Sequence, residues 1–325
     1  MNIFPKADTS VETEEAASEP VLYDVALSTM WHVDQDGLFN EAFVAAKQIG
    51  IARFELNHQV TVDQLEGWDR DHHFAITVHD PCPAVISLDG LKQKDWLVSS
   101  TDEQCRLRGV DVVKRTFDLA VSLGSRSIVL HVGTIQCDRS RDAKLRKLYR
   151  AGLFGAPEYA ALKNEMLAHR QDFSRPHLDA VKKSLCEIIE FARGSGVALG
   201  IENRYRYYDI PLPDEMEELL GMCDEPWYGF QLDTGHAVAL DRLRLASLDD
   251  WLERFSNRMI GVHLHDVDGI TDHQVIGEGS VDFSFFGKYL PANCHRTMEI
   301  NPKATLEQIA DGLEKLVASG CTQKY

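Results

Sequence analysis

Side chains able to do chemistry recur at the ends of apolar runs along this 325-residue chain. Residues 258–266 read Arg-Met-Ile-Gly-Val-His-Leu-His-Asp. Ile260, Val262 and Leu264 alternate with Gly261, His263 and His265, a period of two that predicts a strand. Alternation sets both histidines on one face, with Asp266 where the strand gives out. Neutral imidazole is the commonest protein metal ligand. A lone histidine is more often a hydrogen-bonded core residue, but other predicted strands finish the same way, at Glu55, His79, His131, Glu202, Asp233 and Glu299. Brought together, these carboxylates and imidazoles form a metal-site constellation by type. Buried carboxylates are too costly to collect without a cation.

Bringing them together is the task of the elements. Apolar runs predict strands at 21–28, 51–56, 73–79, 127–131, 197–202, 227–233, 258–266 and 293–300. Helical periodicity predicts helices at 39–49, 61–68, 101–123, 178–192, 213–223, 249–255 and 305–317. The alternation is that of a single α/β domain, a (β/α)8 barrel over 21–325, in which all strand C-termini meet in one ring. A doubly wound open sheet is the competitor, but no Gly-x-Gly-x-x-Gly follows the first strand. The period lapses over 134–176, read as a partly helical insertion after strand four that covers the mouth. Its basic run, 139–150, is expected to be a solvated face unless the substrate is anionic. Residues 1–20 read as a flexible acidic tail. Ser28 and Glu55, at the ends of the first two strands, are expected to line the mouth without binding metal.

Composition narrows the function classes. A formal net charge of −17 argues against nucleic acid or an anionic membrane as a general partner. The seven cysteines are scattered, without a Cys-x-x-Cys pair, which suits reduced thiols and a cytoplasmic location. No run of eighteen apolar residues predicts a membrane span. Nothing in the sequence decides whether the chain forms a homo-oligomer.

Five short motifs occur in order: Gly200-Ile201-Glu202-Asn203, Leu232-Asp233-Thr234-Gly235-His236, Val262-His263-Leu264-His265-Asp266, Ile276-Gly277-Glu278-Gly279 and Met298-Glu299-Ile300. This set resembles the xylose-isomerase-like TIM-barrel superfamily, over roughly 21–319. That group holds sugar and sugar-phosphate isomerases and epimerases, inosose dehydratase, and AP endonucleases of the endonuclease IV type. The resemblance implies a divalent metal (Mn²⁺, Zn²⁺, Co²⁺ or Mg²⁺) on Glu202, Asp233, His263 and Glu299. It implies a sugar isomerase or epimerase working by proton transfer through an enediolate, with Glu202 and Glu299 as the acid/base pair. It aligns His263, and not His265, with the metal ligand, and places His236 against a substrate oxygen. His79, His131, His265, Glu55 and Arg204 are expected to complete the carbohydrate-binding surface.

Departures and rivals are visible too. The ketose epimerases carry a second glutamate one turn past the first metal ligand, where this chain reads Arg204-Tyr205-Arg206-Tyr207-Tyr208. Arg204 and Arg206 beside three tyrosines could grip a phosphate or carboxylate, or simply pack against the insertion. Endonuclease IV-type repair is the strongest rival. His79, His131, His236 and His273 would supply its additional metals beside Glu202, Asp233, His263 and Glu299. Against it stand the acidic chain and Thr271, which replaces the aspartate expected two residues before His273. An inosose dehydratase-like lyase, and a barrel that binds a sugar without turning it over, are the remaining readings.

Overall fold

The computed structural model describes residues 21–32 and 39–325; the predicted tail at 1–20 lies outside them. Eight parallel strands close a barrel: β1 (Ala26–Ser28), β2 (Arg53–Leu56), β3 (Phe74–His79), β4 (Ser127–Leu130), β5 (Ala198–Glu202), β6 (Tyr228–Asp233), β7 (Met259–Leu264) and β10 (His295–Met298). Neighbours follow chain order, and β10 pairs with β1 to complete the circle. An antiparallel hairpin, β8 (Asp266–Asp268) and β9 (Thr271–Gln274), projects beyond β7. The fold is therefore the expected (β/α)8 TIM barrel. No helix among the described residues is long and apolar enough to cross a membrane.

The helices are α1 (Phe39–Gln48), α2 (Val62–Glu66), α3 (Leu88–Gln93), α4 (Glu103–Leu123), α5 (Ser140–Arg150), α6 (Pro157–Ala192), α7 (Pro213–Leu220), α8 (Thr234–Arg242), α9 (Leu248–Phe255), α10 (Phe283–Gly287) and α11 (Leu306–Ala318). Their ends follow local chemistry. Thr61 caps α2 with a reciprocal bond from Gln64, and α4 stops at Gly124, whose φ of 68° is left-handed. Outward strand residues such as Phe54, Ile128, Ile201, Phe230 and Val262 pack beneath the helices as the main core.

Three local expectations change. The long helix does not begin near 178: α6 runs unbroken from Pro157 to Ala192, with Pro176 inside it. A proline there removes one helical hydrogen bond at a cost of about 3 kcal/mol. The flanking turns hold because Leu162, Met166, His177, Leu178 and Val181 are all buried. Helix α8 has no counterpart in the periodicity because residues Thr234 to Leu240 are buried on every side, so no polar face marks it. The basic run at 139–150 is not simply a solvated face. Arg146 is 1% exposed, bonds Asp142 at 3.0 Å and donates to the Tyr205 carbonyl at 2.5 Å.

Helices α5 and α6 thereby fix the segment after β5. Arg170 donates to the Tyr207 carbonyl at 2.6 Å, the Asp209 carbonyl at 2.9 Å and Glu215 at 2.6 Å. A second apolar cluster, including Leu145, Tyr159, Leu162, Met166, Tyr207 and Leu243, seals the contact. The insertion is a brace for one wall of the barrel mouth.

Candidate metal centre

Parallel pairing sets the ends of adjacent strands level. Asp233 pairs with His263, and Thr297 with His263 on its other side, so Glu299 follows one short step beyond. Glu202 closes β5 beside β6. All four side chains are buried, from 0 to 4% exposed, and their ligand atoms lie within 4.8 Å of one another. His263 Nδ1 is 2.8 Å from Glu202 Oε1, 3.0 Å from Glu299 Oε2 and 3.7 Å from Asp233 Oδ2.

Glu202 Oε1 and His263 Nδ1 have no hydrogen-bond partner although both are sealed from solvent. The close approach lacks the alignment of a hydrogen bond. Two orphaned buried ligand atoms aimed at one spot are what a cation would satisfy. Three carboxylates and one imidazole suit a divalent ion, so the donor set fits the expected metal.

Supporting contacts orient each ligand. His263 Nε2 faces Glu55 Oε2 at 3.0 Å, and Glu55 also accepts from Thr77 Oγ1 at 2.8 Å. Glu55, expected against the substrate, is fully buried behind the imidazole. Asn57 Nδ2 donates to Glu299 Oε1 at 3.1 Å. Asn203 exchanges two bonds with the Asp233 backbone, at 2.7 and 3.0 Å. Asp233 Oδ1 caps α8 by accepting from the His236 N–H at 2.7 Å. His265 Nε2 lies 3.0 Å from both Asp233 oxygens, while its Nδ1 accepts from the His273 N–H at 2.9 Å. That makes Nε2–H the donor and assigns His265 to holding Asp233.

Gly235 is required for this. A Cβ there would lie 2.1 Å from His265 Cε1. Gly279 similarly leaves room for Asp266, whose carboxylate accepts from the backbone N–H groups of Val267, Gly277 and Val281 at 2.8, 2.8 and 2.9 Å. The Ile276-Gly277-Glu278-Gly279 motif is thus a loop wrapped on Asp266.

Two further groups flank the four. His79, His131 and Glu202 form one, and His236, Asp272 and His273 the other; Asp233, His265, His273 and Glu299 also converge. His79 bonds the Asp80 carbonyl through Nδ1 at 2.8 Å, and His236 bonds the Asn203 carbonyl at 3.0 Å, leaving each Nε2 as an acceptor. Asp272, the residue after Thr271, places its carboxylate 3.7 Å from His236 Nε2 and 3.4 Å from His273 Nδ1. His273 reaches this position with a left-handed φ of 55°. Sequence reasoning missed Asn57, Asp272 and His58, whose ring stands 5.2 Å from that of His79. Only the motif spacing around His273 pointed near one of them.

Arg204 turns inward and hydrogen-bonds both His131 Nε2 and Glu202 Oε2. Arg206 instead pairs with buried Asp142 at 3.1 Å. Ser28 is buried at the end of β1. A cavity of about 380 Å³ is lined by Arg204, Tyr205, His236 and Asp272 among others, and by none of the four ring residues.

Burial would raise the Glu202 and Glu299 carboxyls, but facing imidazoles, with Arg204 beside Glu202, hold both well below the usual range. Asp233 is likewise held low against its burial, by His236, His265 and His263. His263 is pushed well above its ordinary value, because the Glu55, Glu299, Asp233 and Glu202 carboxylates outweigh burial. Loss of solvation and the Arg204 guanidinium push His131 well down.

A family model described as a xylose isomerase-like TIM barrel matches residues 43–318. An uncharacterized protein of Methanocaldococcus jannaschii is 31% identical over 112 residues, 33% of this chain, and the match spans only 36% of that protein's length. L-ribulose-5-phosphate 3-epimerase of Salmonella heidelberg is 22% identical over 292 residues, covering 84% of this chain and 88% of that protein. Among solved structures, a D-tagatose 3-epimerase-like protein superposes with a TM-score of 0.62 at 19% identity, covering 91% of this chain and 96% of the other. A zinc-bound IOLI protein superposes with a TM-score of 0.57 at 13% identity, covering 91% and 97%.

Proposed function

This chain belongs to the xylose isomerase-like TIM-barrel family, and on that premise we propose that it is a divalent-metal-dependent isomerase or epimerase of a sugar or sugar phosphate. The observation that carries the reading is the buried set Glu202, Asp233, His263 and Glu299, with Glu202 Oε1 and His263 Nδ1 lacking any other partner. The epimerase names among the relatives support the substrate class, and the zinc-bound neighbour supports a metal.

A divalent ion held by these four residues supplies polarisation of a substrate carbonyl or hydroxyl, which acidifies the neighbouring C–H. The protein does the rest. Glu202, at the end of β5, and Glu299, just past the end of β10, remove a proton from carbon and return one. Asn57 holds one Glu299 oxygen and leaves the other toward His263. His236, its Nδ1 engaged by Asn203, offers Nε2 to a substrate hydroxyl. His79, His131 and Arg204 complete the polar wall, while Glu55 and His265 position His263 and Asp233. The roughly 380 Å³ cavity beside Arg204 and His236 is of a size for a small carbohydrate.

The flanking His79–His131–Glu202 and His236–Asp272–His273 groups favour one second reading, a multi-metal phosphodiester hydrolase. One experiment separates the two. The purified protein, with its metal content measured, is given a panel of ketoses, aldoses and their phosphates in D₂O, and abasic-site DNA in parallel. Deuterium wash-in at one substrate carbon supports the isomerase. Nicking of the DNA without exchange on any sugar supports the hydrolase instead.

A further inference from the structure

The hollow beside the proposed ion carries its own electrostatic demand. His131 Nε2 and Glu202 Oε2 stand 2.6 Å apart. His79 and His131 rings meet edge to face at 4.5 Å, and the His79 Nε2 is an acceptor because its Nδ1 is spent on the Asp80 carbonyl. With Arg204 donating to His131 Nε2, the three atoms within 4.8 Å of one another are all electron-pair donors, an arrangement that a cation among them stabilises. In this structure the charge is a side chain. The Arg204 Nη1 bonds both His131 Nε2 and Glu202 Oε2.

Arg204 is delivered there by construction. Residues 205–209, which follow it, are clamped by the insertion. Arg146 holds the Tyr205 carbonyl and lies 4.1 Å over the Tyr205 ring, and Arg170 holds the Tyr207 and Asp209 carbonyls. Both clamping arginines are nearly fully buried. The Arg204 side chain is only 15% exposed, so it is not a surface arginine that has fallen inward.

We propose that Arg204 is the resident cation of the His79–His131–Glu202 hollow, filling the place of a second divalent ion and excluding one. This rests on the reading that Glu202 binds an ion at the adjacent four-residue centre. Guanidinium and a divalent ion cannot both fill the hollow, since each needs the same lone pairs on His131 Nε2 and Glu202 Oε2. Arg204 is thus a specificity-determining residue. It neutralises Glu202 while its remaining N–H groups border the cavity, where they can donate to an oxygen of the substrate. With Arg204 absent, the same three side chains become an ion site of mixed imidazole and carboxylate type.

The test counts ions. Wild type, Arg204→Met, and Arg204→Met combined with His131→Ala are stripped with chelator. Each is titrated with Zn²⁺ and with Co²⁺, reading stoichiometry by calorimetry and elemental analysis, and ligand field by Co²⁺ visible absorption. The expected result is one more equivalent bound by Arg204→Met than by wild type, at least about 10²-fold tighter than any corresponding binding to wild type, since a nearby unit charge has been removed. A new Co²⁺ band should accompany it, and His131→Ala should abolish both. Arg204→Gln serves as the neutral variant if the methionine form is insoluble. Equal counts in wild type and both neutral variants, or an extra ion that survives loss of His131, overturn the proposal. A wild type that binds no ion sinks the proposed activity yet leaves the Arg204 comparison readable. A gained ion with no sugar exchange in wild type keeps the Arg204 role and rejects the isomerase.

Discussion

Glu55 Oε2 stands 3.0 Å from His263 Nε2, on the side of the imidazole opposite the three ring carboxylates. The pairing turns His263 Nδ1 into the ring and raises its basicity, the carboxylate–histidine arrangement that supports metal ligands. Glu55→Gln keeps the shape but removes the charge. Metal affinity is expected to fall by about 10- to 100-fold with the fold retained, as measured by competition with a chromogenic chelator. Unchanged affinity would show that Glu55 does not govern the ligand.

Glu299→Gln tests the proton path. The amide oxygen still reaches the ion, so metal content should stay near wild type, but the group no longer accepts a proton. Exchange of the substrate's carbon-bound proton should fall by about 10²-fold or more. His265→Gln, acting through Asp233, should cost less. Wild-type exchange in Glu299→Gln would rule out the two-carboxylate mechanism.

Gly235→Ala places a methyl carbon 2.1 Å from His265 Cε1. The imidazole must move, and with it the support of Asp233. A stability loss of about 1–3 kcal/mol is expected from overpacking, together with weaker metal binding. Urea denaturation and metal titration on one sample check both, and a variant as stable and as metal-avid as wild type contradicts the packing.

His295, at the foot of β10, is pushed down to about 4 by burial and by Arg126 and Arg53. Its folded value is depressed below the unfolded value of about 6.5, so the unfolded chain binds the proton first. The stability tied to neutral His295 is present above pH 6.5 and lost as pH falls through about 4. His295→Gln should flatten that acid limb by on the order of 2 kcal/mol. Denaturation midpoints between pH 7 and 4 measure it, and parallel curves for variant and wild type would exclude the contribution.

The sequence alone determined the barrel and the carboxylates and imidazoles that gather on its rim. Strict alternation in residues 258–266 fixes which face His263 takes, and polar residues closing seven other apolar runs fix where the strands end. The mouth then follows from parallel closure, because that topology leaves strand C-termini nowhere else to meet. What the sequence could not carry depends on contacts between residues distant along the chain. Glu55 stands behind His263 because the β2 and β7 side chains meet in the barrel interior, 208 positions apart. Arg204 and Arg206 are two residues apart and alike in type, yet one neutralises Glu202 and the other Asp142. Only packing of α5 and α6 against the segment after β5 separates them. Helix α8 has no periodic signature because it is buried on all sides, and Asp272 is recognisable only once the β8–β9 hairpin folds it toward His236. Local pattern sets the face of a side chain; the charge it meets there is set by closure of the fold.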